Sequence, residues 1–300
     1  RMADAYVLSF PKTGRTWLRL MLGRAVALLT GSKNAVKGFG FLLGAAALAL
    51  VGFVPAVLGM AGVLALILVA VLLRMPGGLP AGRKDARFAE GFSKNPRVNW
   101  LSSARVFLFG ARDVWFVVGI PIYFYSVLSD GTTEGQRAAF FMIGIFMAVW
   151  VILYGAVQAR APALLRSQDR GEADLAAAAR FWVGTLFVVP AALALAAWFA
   201  GAPALWLTLS IVAGLLVFGV LFALNSSLHS YLILAFTDAK RVTMDVGFYY
   251  MANAAGRLIG TVLSGLSYQL GGVPLCLGAA AVMIVLSWLC IGRIVPRTAD

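Results

Sequence analysis

The chain has 300 residues, of which 61% are apolar and 12% are charged, and its formal net charge is +13. A soluble domain carries about 25% charged and about 45–50% apolar residues, so this composition excludes an ordinary soluble fold and favours a polytopic membrane protein. The basic residues are spread over the loops between apolar runs and outline no single basic face, which argues against a nucleic-acid partner.

The first 24 residues differ from the rest of the chain. A short apolar run over 5–10 is followed by a loop with lysine, glycine and two threonines, and then by a helix-like segment. This order is typical of a phosphate held at a helix N-terminus. The chain begins with Arg1 and not with Met, so we expect a fragment or a lost start, and no signal peptide is recognisable.

Eight apolar runs are long enough to cross a membrane, which takes about 20 residues per helix. They cover 26–51, 53–74, 101–128, 138–160, 181–200, 204–234, 246–270 and 272–292. The connections alternate between basic and nearly uncharged, so the positive-inside rule predicts eight crossings with both chain ends in the cytoplasm.

The long polar linker over 75–99 leaves two predicted helices before it and six after it. Major facilitator transporters place six helices on each side of a central cytoplasmic loop. On that plan the N-terminal half lacks its first four helices. We therefore predict an all-α, polytopic membrane helical bundle, an incomplete major facilitator fold with about eight transmembrane helices.

Polar residues inside these runs are candidates for function, because a charge at the bilayer centre costs at least roughly 2.5–3.5 kcal/mol. Lys33, Asn34 and Lys37 open the first run, and the two lysines share a helix face. These lysines could contact a substrate or could extend to the membrane interface as anchors, and the sequence does not favour either alternative.

The third run carries Arg105, Arg112 and Asp113. The two arginines lie seven residues apart and so project the same way, roughly 10 Å apart. Two guanidiniums on one stripe favour a multiply charged anion, which they can bind bidentately. Asp113 adjoins Arg112 but is expected to point elsewhere, and a structural ion pair with an arginine on a neighbouring helix is the alternative.

Two further polar groups lie in later runs. Asn225, Ser226 and His229 form one polar face, and His229 is a candidate for a coupling proton or for a simple hydrogen bond in the core. In the next run Tyr250, Asn253 and Arg257 share a face, with Tyr249 beside them. Arg257 lies about 12 residues, or roughly 18 Å, after Asp245, so we expect it near mid-depth.

The sequence predicts neither a metal site nor a cofactor. It contains one histidine and two cysteines, Cys276 and Cys290, which are 14 residues apart in the last run. No ligand spacing for a metal is recognisable in this set. The intramembrane set is rich in cations, so the predicted ligand is a small anion.

Four stretches carry a resemblance to a known family: "LTGSKNAVKGFGFLLG", "SSARVFLFGARDVWFVVGIPIYFYSVL", "LLVFGVLFALNSSLHSYLI" and "MDVGFYYMANAAGRLIGTVLSGLSYQLGG". From about residue 28 to about residue 290 the chain resembles the C-terminal two-thirds of an organoarsenical efflux permease of the major facilitator superfamily. The resemblance implies export of 1-arseno-3-phosphoglycerate, formed when glyceraldehyde-3-phosphate dehydrogenase takes arsenate in place of phosphate. That enzyme is then a functional partner.

The opening stretch "YVLSFPKTGRTWLR" resembles the start of a sulfotransferase, where a strand–loop–helix binds the 5′-phosphosulfate of the sulfuryl donor. On that resemblance the contacts would come from five consecutive residues, Lys12, Thr13, Gly14, Arg15 and Thr16. No alternating strand–helix pattern follows them, so residues 1–24 are predicted to be a remnant without its fold.

The sequence thus predicts four segments: the remnant 1–24, two last helices of an N-terminal transporter half over 25–75, a central cytoplasmic loop over 76–99, and a six-helix C-terminal half over 100–300. The predicted protein is not an enzyme but a proton-driven antiporter in the bacterial inner membrane that confers arsenate resistance. A homo-oligomer would complete the short half, or the chain is inactive. The alternatives are a membrane-tethered sulfotransferase and a carrier of other organic phosphates.

Overall fold

Helices make up every regular element in the part of the chain that the structure describes. The computed structural model describes residues 12–74, 93–166, 170–237 and 242–294, and for residues 12–31 and Thr243 it describes the backbone alone. In chain order the elements are α1 (Lys12–Val51), α2 (Phe53–Arg74), α3 (Pro96–Val114), a π-helical turn (Trp115–Gly119), α4 (Ile120–Leu128), α5 (Thr133–Leu164), α6 (Glu172–Ala200), α7 (Leu205–Phe236) and α8 (Val242–Gly292).

Seven helices in the described residues are long and apolar enough to cross a membrane, with α3, the π-helical turn and α4 counted as one. The all-helical membrane bundle predicted from composition is confirmed at this level. Most helices extend beyond the predicted apolar runs at their polar ends. α6, for example, begins at Glu172 and not at residue 181, because acidic residues in a first turn are favourable near the helix N-terminus.

The last helix folds back on itself at Gly271 and Gly272, so α8 consists of two legs, 242–270 and 273–292. Gly272 has a φ of 62°, which only glycine adopts easily, and Pro274 lies in the first turn of the second leg. The thiol of Cys276 lies 3.6 Å from the Ser264 carbonyl oxygen, although twelve residues of straight helix would separate them by roughly 18 Å. The two legs therefore pack side by side.

The π-helical turn interrupts the third predicted run at its middle. Pro121 follows this turn in the first positions of α4, where it donates no hydrogen bond and its ring needs space in the preceding turn. The Ser264 hydroxyl oxygen of α8 accepts hydrogen bonds from the backbone N–H groups of Val118 and Gly119, at 3.2 and 3.3 Å. The wider turn is thus held by a neighbouring helix.

The helix ends that adjoin the basic loops lie together at one end of the bundle. Arg97 at the start of α3 makes an ion pair of 3.3 Å with Glu172 at the start of α6. The Asn95 side-chain amide donates to the backbone carbonyl of Phe236 at the end of α7, at 2.8 Å. The described ends of α3, α6 and α7 therefore lie on the same side, as the alternation of the loops predicts.

The opposite end holds the short, nearly uncharged turns. Tyr123 of α4 and Thr208 of α7 share a hydrogen bond of 2.9 Å between their hydroxyl groups. Thr132 caps α5 by accepting a hydrogen bond from the Gly135 amide. The side-chain and backbone hydrogen bonds from Thr132 lower the pKa of the Asp130 carboxyl.

Glycines let α3 and the first leg of α8 touch backbone to backbone. With both legs of α8 counted, α3 and α8 form the most extensive helix contact in the described residues. A Cβ atom on Gly256 would overlap the carbonyl group of Val106. A Cβ atom on Gly260 would lie 2.5 Å from the Gly110 carbonyl oxygen and 3.0 Å from Cβ of Asp113. This close approach sets the distance between the polar side chains that α3 and α8 carry.

The first two helices differ in how much protein they contact. α1 packs along α5, where Gly144 leaves room for Ala45. α2 buries only Ala56 among its 22 residues, and its large apolar side chains are exposed along its length. In a membrane α2 is therefore a lipid-facing helix in this arrangement.

We expect Gly256→Ala to destabilise the protein by about 1–3 kcal/mol, because the added methyl group meets backbone that cannot yield without moving α3. The melting curve in detergent can be followed with a thiol-reactive dye, since Cys276 and Cys290 are free and buried and become reactive on unfolding. Gly265→Ala is the matched control, because nothing lies within 4 Å of a Cβ there. Equal melting temperatures for the two variants would contradict the packing argument.

Candidate functional site

A single buried carboxylate joins two arginines in the middle of the bundle. Arg112 Nε of α3 donates to Asp113 Oδ1 at 2.6 Å, and Arg257 Nε of α8 donates to Asp113 Oδ2 at 3.1 Å. The Asp113 side chain is 2% exposed. Two guanidiniums against one carboxylate leave one net positive charge in this cluster.

The expectation that Asp113 points away from Arg112 is wrong. Neighbouring helix positions do not face each other, but the long arginine side chain bends back so that its guanidinium reaches the carboxylate. The low dielectric of the interior favours this contact over an unpaired charge. The alternative that the sequence left open, an ion pair between Asp113 and an arginine of a neighbouring helix, is what the structure contains for Arg257.

Arg257 lies near the centre of its leg, twelve residues after Asp245 and thirteen before Leu270, or roughly 18 and 20 Å from each. Its side chain is 54% exposed, whereas that of Arg112 is 13% exposed. The cluster therefore has a buried side, lined for Arg112 by the rings of Phe109 and Phe222, and an open side at Arg257.

Helix α1 adds positive charge to the open side. Lys37 lies close enough to Arg112, Arg257 and Asp113 to interact with their charges. Lys33, one turn earlier, is a further electrostatic neighbour of Lys37, and both lysine side chains are exposed. Even without Lys33, this cluster contains three cationic side chains and only one carboxylate, that of Asp113.

Arg105 occupies a different environment from Arg112, although both lie on α3. It is only 5% exposed, and its guanidinium lies over the rings of Phe109 and Tyr249, at 3.9 and 4.8 Å from their centroids. Its Nη1 donates to the backbone carbonyl and to the hydroxyl oxygen of Ser226, at 3.1 and 3.2 Å. Among the described residues no carboxylate lies within ion-pair distance of Arg105, and its Nε has no hydrogen-bond partner.

A hydrogen-bonded chain leads from Arg105 to α1 through Ser226 and Gln158, and sequence reasoning missed Gln158 and its neighbour Tyr154. Gln158 Nε2 of α5 donates to the Ser226 hydroxyl oxygen at 3.2 Å, and the Tyr154 hydroxyl group lies 3.4 Å from that oxygen. Gln158 Oε1 accepts from the Asn34 side-chain amide at 2.9 Å. The only sign of Gln158 in the sequence is that it is a single glutamine in an apolar run. It lies two residues before the end of the predicted span 138–160, where a polar residue is common.

The remaining predicted ligand residues are divided between the interior and the surface. Tyr249 is buried, whereas Tyr250 is 57% exposed, because consecutive helix positions point in different directions. Asn225 donates to its own helix at the Leu221 carbonyl, and its Oδ1 has no partner in the described residues. The same holds for Oδ1 of Asn253.

His229 is fully buried, and neither ring nitrogen has a hydrogen-bond partner among the described residues. It is an electrostatic neighbour of Arg105. The site residues thus form two groups, an open one around Asp113 and a closed one around Arg105. No cluster of three or more metal-ligating side chains occurs in the residues that the structure describes.

The predicted phosphate loop lies at the edge of the described chain. Residues 1–11, which include the predicted strand over 5–10, fall outside the described residues. α1 begins at Lys12 and continues without a break to Val51, so the backbone of the five predicted phosphate contacts forms the first turns of a long helix. Their side chains lie outside the description.

Comparison with protein-family models, with curated proteins and with solved structures finds no match to this chain. The chemistry of the site therefore carries the functional argument.

We expect Asp113→Asn to lower the free energy of unfolding by about 3 kcal/mol, because it leaves two guanidiniums together without their counter-charge. Melting in detergent measures this loss. Glu172→Gln is the control, since it breaks an ion pair whose partners are 44% and 47% exposed, and such pairs contribute about 1 kcal/mol or less. An Asp113→Asn variant as stable as the control would mean that the carboxylate does not hold the cluster.

Proposed function

We propose that the chain is a major facilitator transporter that exports an organic anion, with 1-arseno-3-phosphoglycerate as the substrate. The observation that supports this proposal best is the half-open set of Arg112, Arg257 and Lys37 against the single carboxylate of Asp113, with Arg257 at the middle of an apolar leg. Charges at mid-depth are costly unless they face a partner or a water-lined cavity. A multiply charged anion is the partner that this balance of charge selects.

The topology proposed for the chain has eight crossings, with α1 and α2 in one bundle and the other six in a second bundle. Its basis is the fold-back at Gly271 and Gly272, since each leg of α8 is then a crossing of its own. Both chain ends would lie in the cytoplasm, as the basic loops predict. A homo-oligomer that completes the smaller bundle stays a prediction, and so does an inactive chain.

Anion binding would proceed by competition. The phosphate or arsenate oxygens accept hydrogen bonds from the same guanidinium N–H groups that Asp113 uses, and a bidentate contact with Arg257 is open because that side chain is half exposed. Each charge-assisted hydrogen bond contributes about 1.5–3 kcal/mol. When no anion is bound, Asp113 holds the two arginines in place, and its ion pairs with them form again when the anion leaves.

This competition also sets the sign of any proton coupling at Asp113. A proton on the carboxylate frees both arginines and so favours the anion, which means that proton and anion would move in the same direction. Proton-driven exchange, as the resemblance implies, needs the two to exclude each other. His229, the other candidate that the sequence named, gives the same sign, because a proton on its ring adds positive charge beside Arg105 and also favours an anion there. The antiport prediction therefore stays a prediction.

Two alternative functions can be separated from this proposal by experiment. A carrier of other organic phosphates would use the same cations, so competition between substrates in vesicles separates it from an arsenical exporter. A membrane-tethered sulfotransferase needs a sheet, and no strand occurs in the described residues. Binding of adenosine 3′,5′-bisphosphate by the purified chain would favour it.

In arsenate-sensitive cells that co-express glyceraldehyde-3-phosphate dehydrogenase, we expect the chain to confer arsenate resistance and Arg112→Ala or Arg257→Ala to abolish it. Loss of one charge-assisted contact should weaken anion binding about tenfold to a hundredfold. Membrane levels of each variant are measured in parallel. Arg160→Ala is the control, because Arg160 is exposed and bonds only a backbone carbonyl of its own helix among the described residues. Full resistance in both cluster variants would refute the assignment.

A further inference from the structure

A buried polar chain crosses four helices of the bundle. It runs from Asn34 of α1 through Gln158 of α5 and Ser226 of α7 to Arg105 of α3. Each of these four side chains belongs to a residue that is 6% exposed or less. The chain is separate from the half-open arginine cluster, and the function proposed above assigns no role to Gln158 or Ser226.

Three side chains converge on one hydroxyl group where this chain ends. The Ser226 hydroxyl oxygen accepts from Arg105 and Gln158, and the Tyr154 hydroxyl group lies 3.4 Å from it. A hydroxyl oxygen has two lone pairs, so it has none left for a further donor once Arg105 and Gln158 are bound. The Arg105 Nε–H therefore stays without an acceptor among the described residues.

The charge at this place is equally unbalanced. Arg105 has no ion-pair partner among the described residues, its Nε donates to nothing there, and its guanidinium lies over two aromatic rings. Burying an unpaired charge is costly, and cation–π contacts recover only part of that cost. A negatively charged acceptor would satisfy both the Arg105 Nε–H group and the missing charge.

The Asn34 side chain covers this acceptor-poor place from α1. Its amide donates to Gln158, which in turn donates to Ser226, so the position of α1 decides whether the Gln158 amide stays in place. α1 meets α5 at Gly38, where the Ile152 side chain occupies the space that a Cβ would take, at 2.5 Å. The two helices therefore have to separate, and not slide past each other, for the Gln158 amide to be released.

We propose that Gln158 is a latch over a second, gated anion site at Arg105. With Asn34 bonded to Gln158, the site is closed, as in this structure. When α1 moves away, the Gln158 amide is released, and a small oxyanion group such as a phosphate or sulfonate takes its place against Arg105 and Ser226. The inference rests on the proposed transport function, because the site at Arg105 would be a second binding site for the transported anion after the half-open cluster.

The test uses Ser226→Cys in a chain that also carries Cys276→Ser and Cys290→Ser, since both native cysteines are free. Two methanethiosulfonate reagents of similar size, one ending in a sulfonate and one in a trimethylammonium group, are applied to the chain in vesicles. We expect the sulfonate reagent to label the introduced thiol faster. Inorganic phosphate should slow this labelling, and Arg105→Gln should remove the preference for the sulfonate.

Opening the latch is tested with Asn34→Ala, which should speed sulfonate labelling about fivefold, the shift expected from the loss of one hydrogen bond. Val36→Ala on the same helix is the matched control, because Val36 is 71% exposed and lies outside the chain of hydrogen bonds. Gln158→Glu should abolish the sulfonate preference by placing a carboxylate beside Arg105, whereas Gln158→Leu should keep it. A purely structural role for Gln158 would make these two variants alike.

The latch is overturned if the two reagents label at the same rate, if neither labels in any variant, or if Asn34→Ala behaves like Val36→Ala. Its failure is distinguishable from failure of the transport proposal. Arsenate resistance without charge-selective labelling would refute the latch alone. Charge-selective labelling without transport of any organic anion would refute the transport function and leave an anion site.

Discussion

The ion pair between α3 and α8 is the constraint on which the described structure depends. Asp113 can satisfy both Arg112 and Arg257 only because the two helix backbones touch at glycines, which brings a carboxylate on one helix within 3.1 Å of a guanidinium on the other. Where water is scarce, such a pair is costly to separate. The helices that carry it are therefore joined through both backbone and side chains, whereas α2 buries only Ala56.

Two arginines on one helix have opposite roles because of their neighbours. Arg112 is bound to a carboxylate and adjoins a half-exposed arginine, whereas Arg105 is enclosed by two aromatic rings and a serine. From their spacing of seven residues alone, the two arginines would be expected to form one stripe of equivalent cations. The structure separates a cluster with a half-exposed arginine from one that is buried among aromatic rings and side chains of other helices.

Much of the fold could be predicted from the sequence, and less of the site. The predicted spans that lie in the described residues correspond to helices, because about 20 apolar residues have few alternatives to a helix in a membrane. The bond between Asp113 and Arg112 could not be predicted, since helix periodicity describes Cβ directions and ignores the reach of a long side chain. Gln158 was missed because its partners, Asn34 and Ser226, are 124 and 68 residues away, and only the packing of three helices brings them together.

The wide turn at Trp115–Gly119 has a consequence for how the third crossing is aligned. One additional residue in a helix rotates everything beyond it by about 100°, so the side chains of α4 are out of phase with those of α3. A polar stripe that begins on α3 therefore cannot continue straight through the crossing. Shortening this stretch by a single residue would leave the composition of the crossing almost unchanged, yet it would turn a different wall of α4 toward the core and aim Tyr123 away from Thr208.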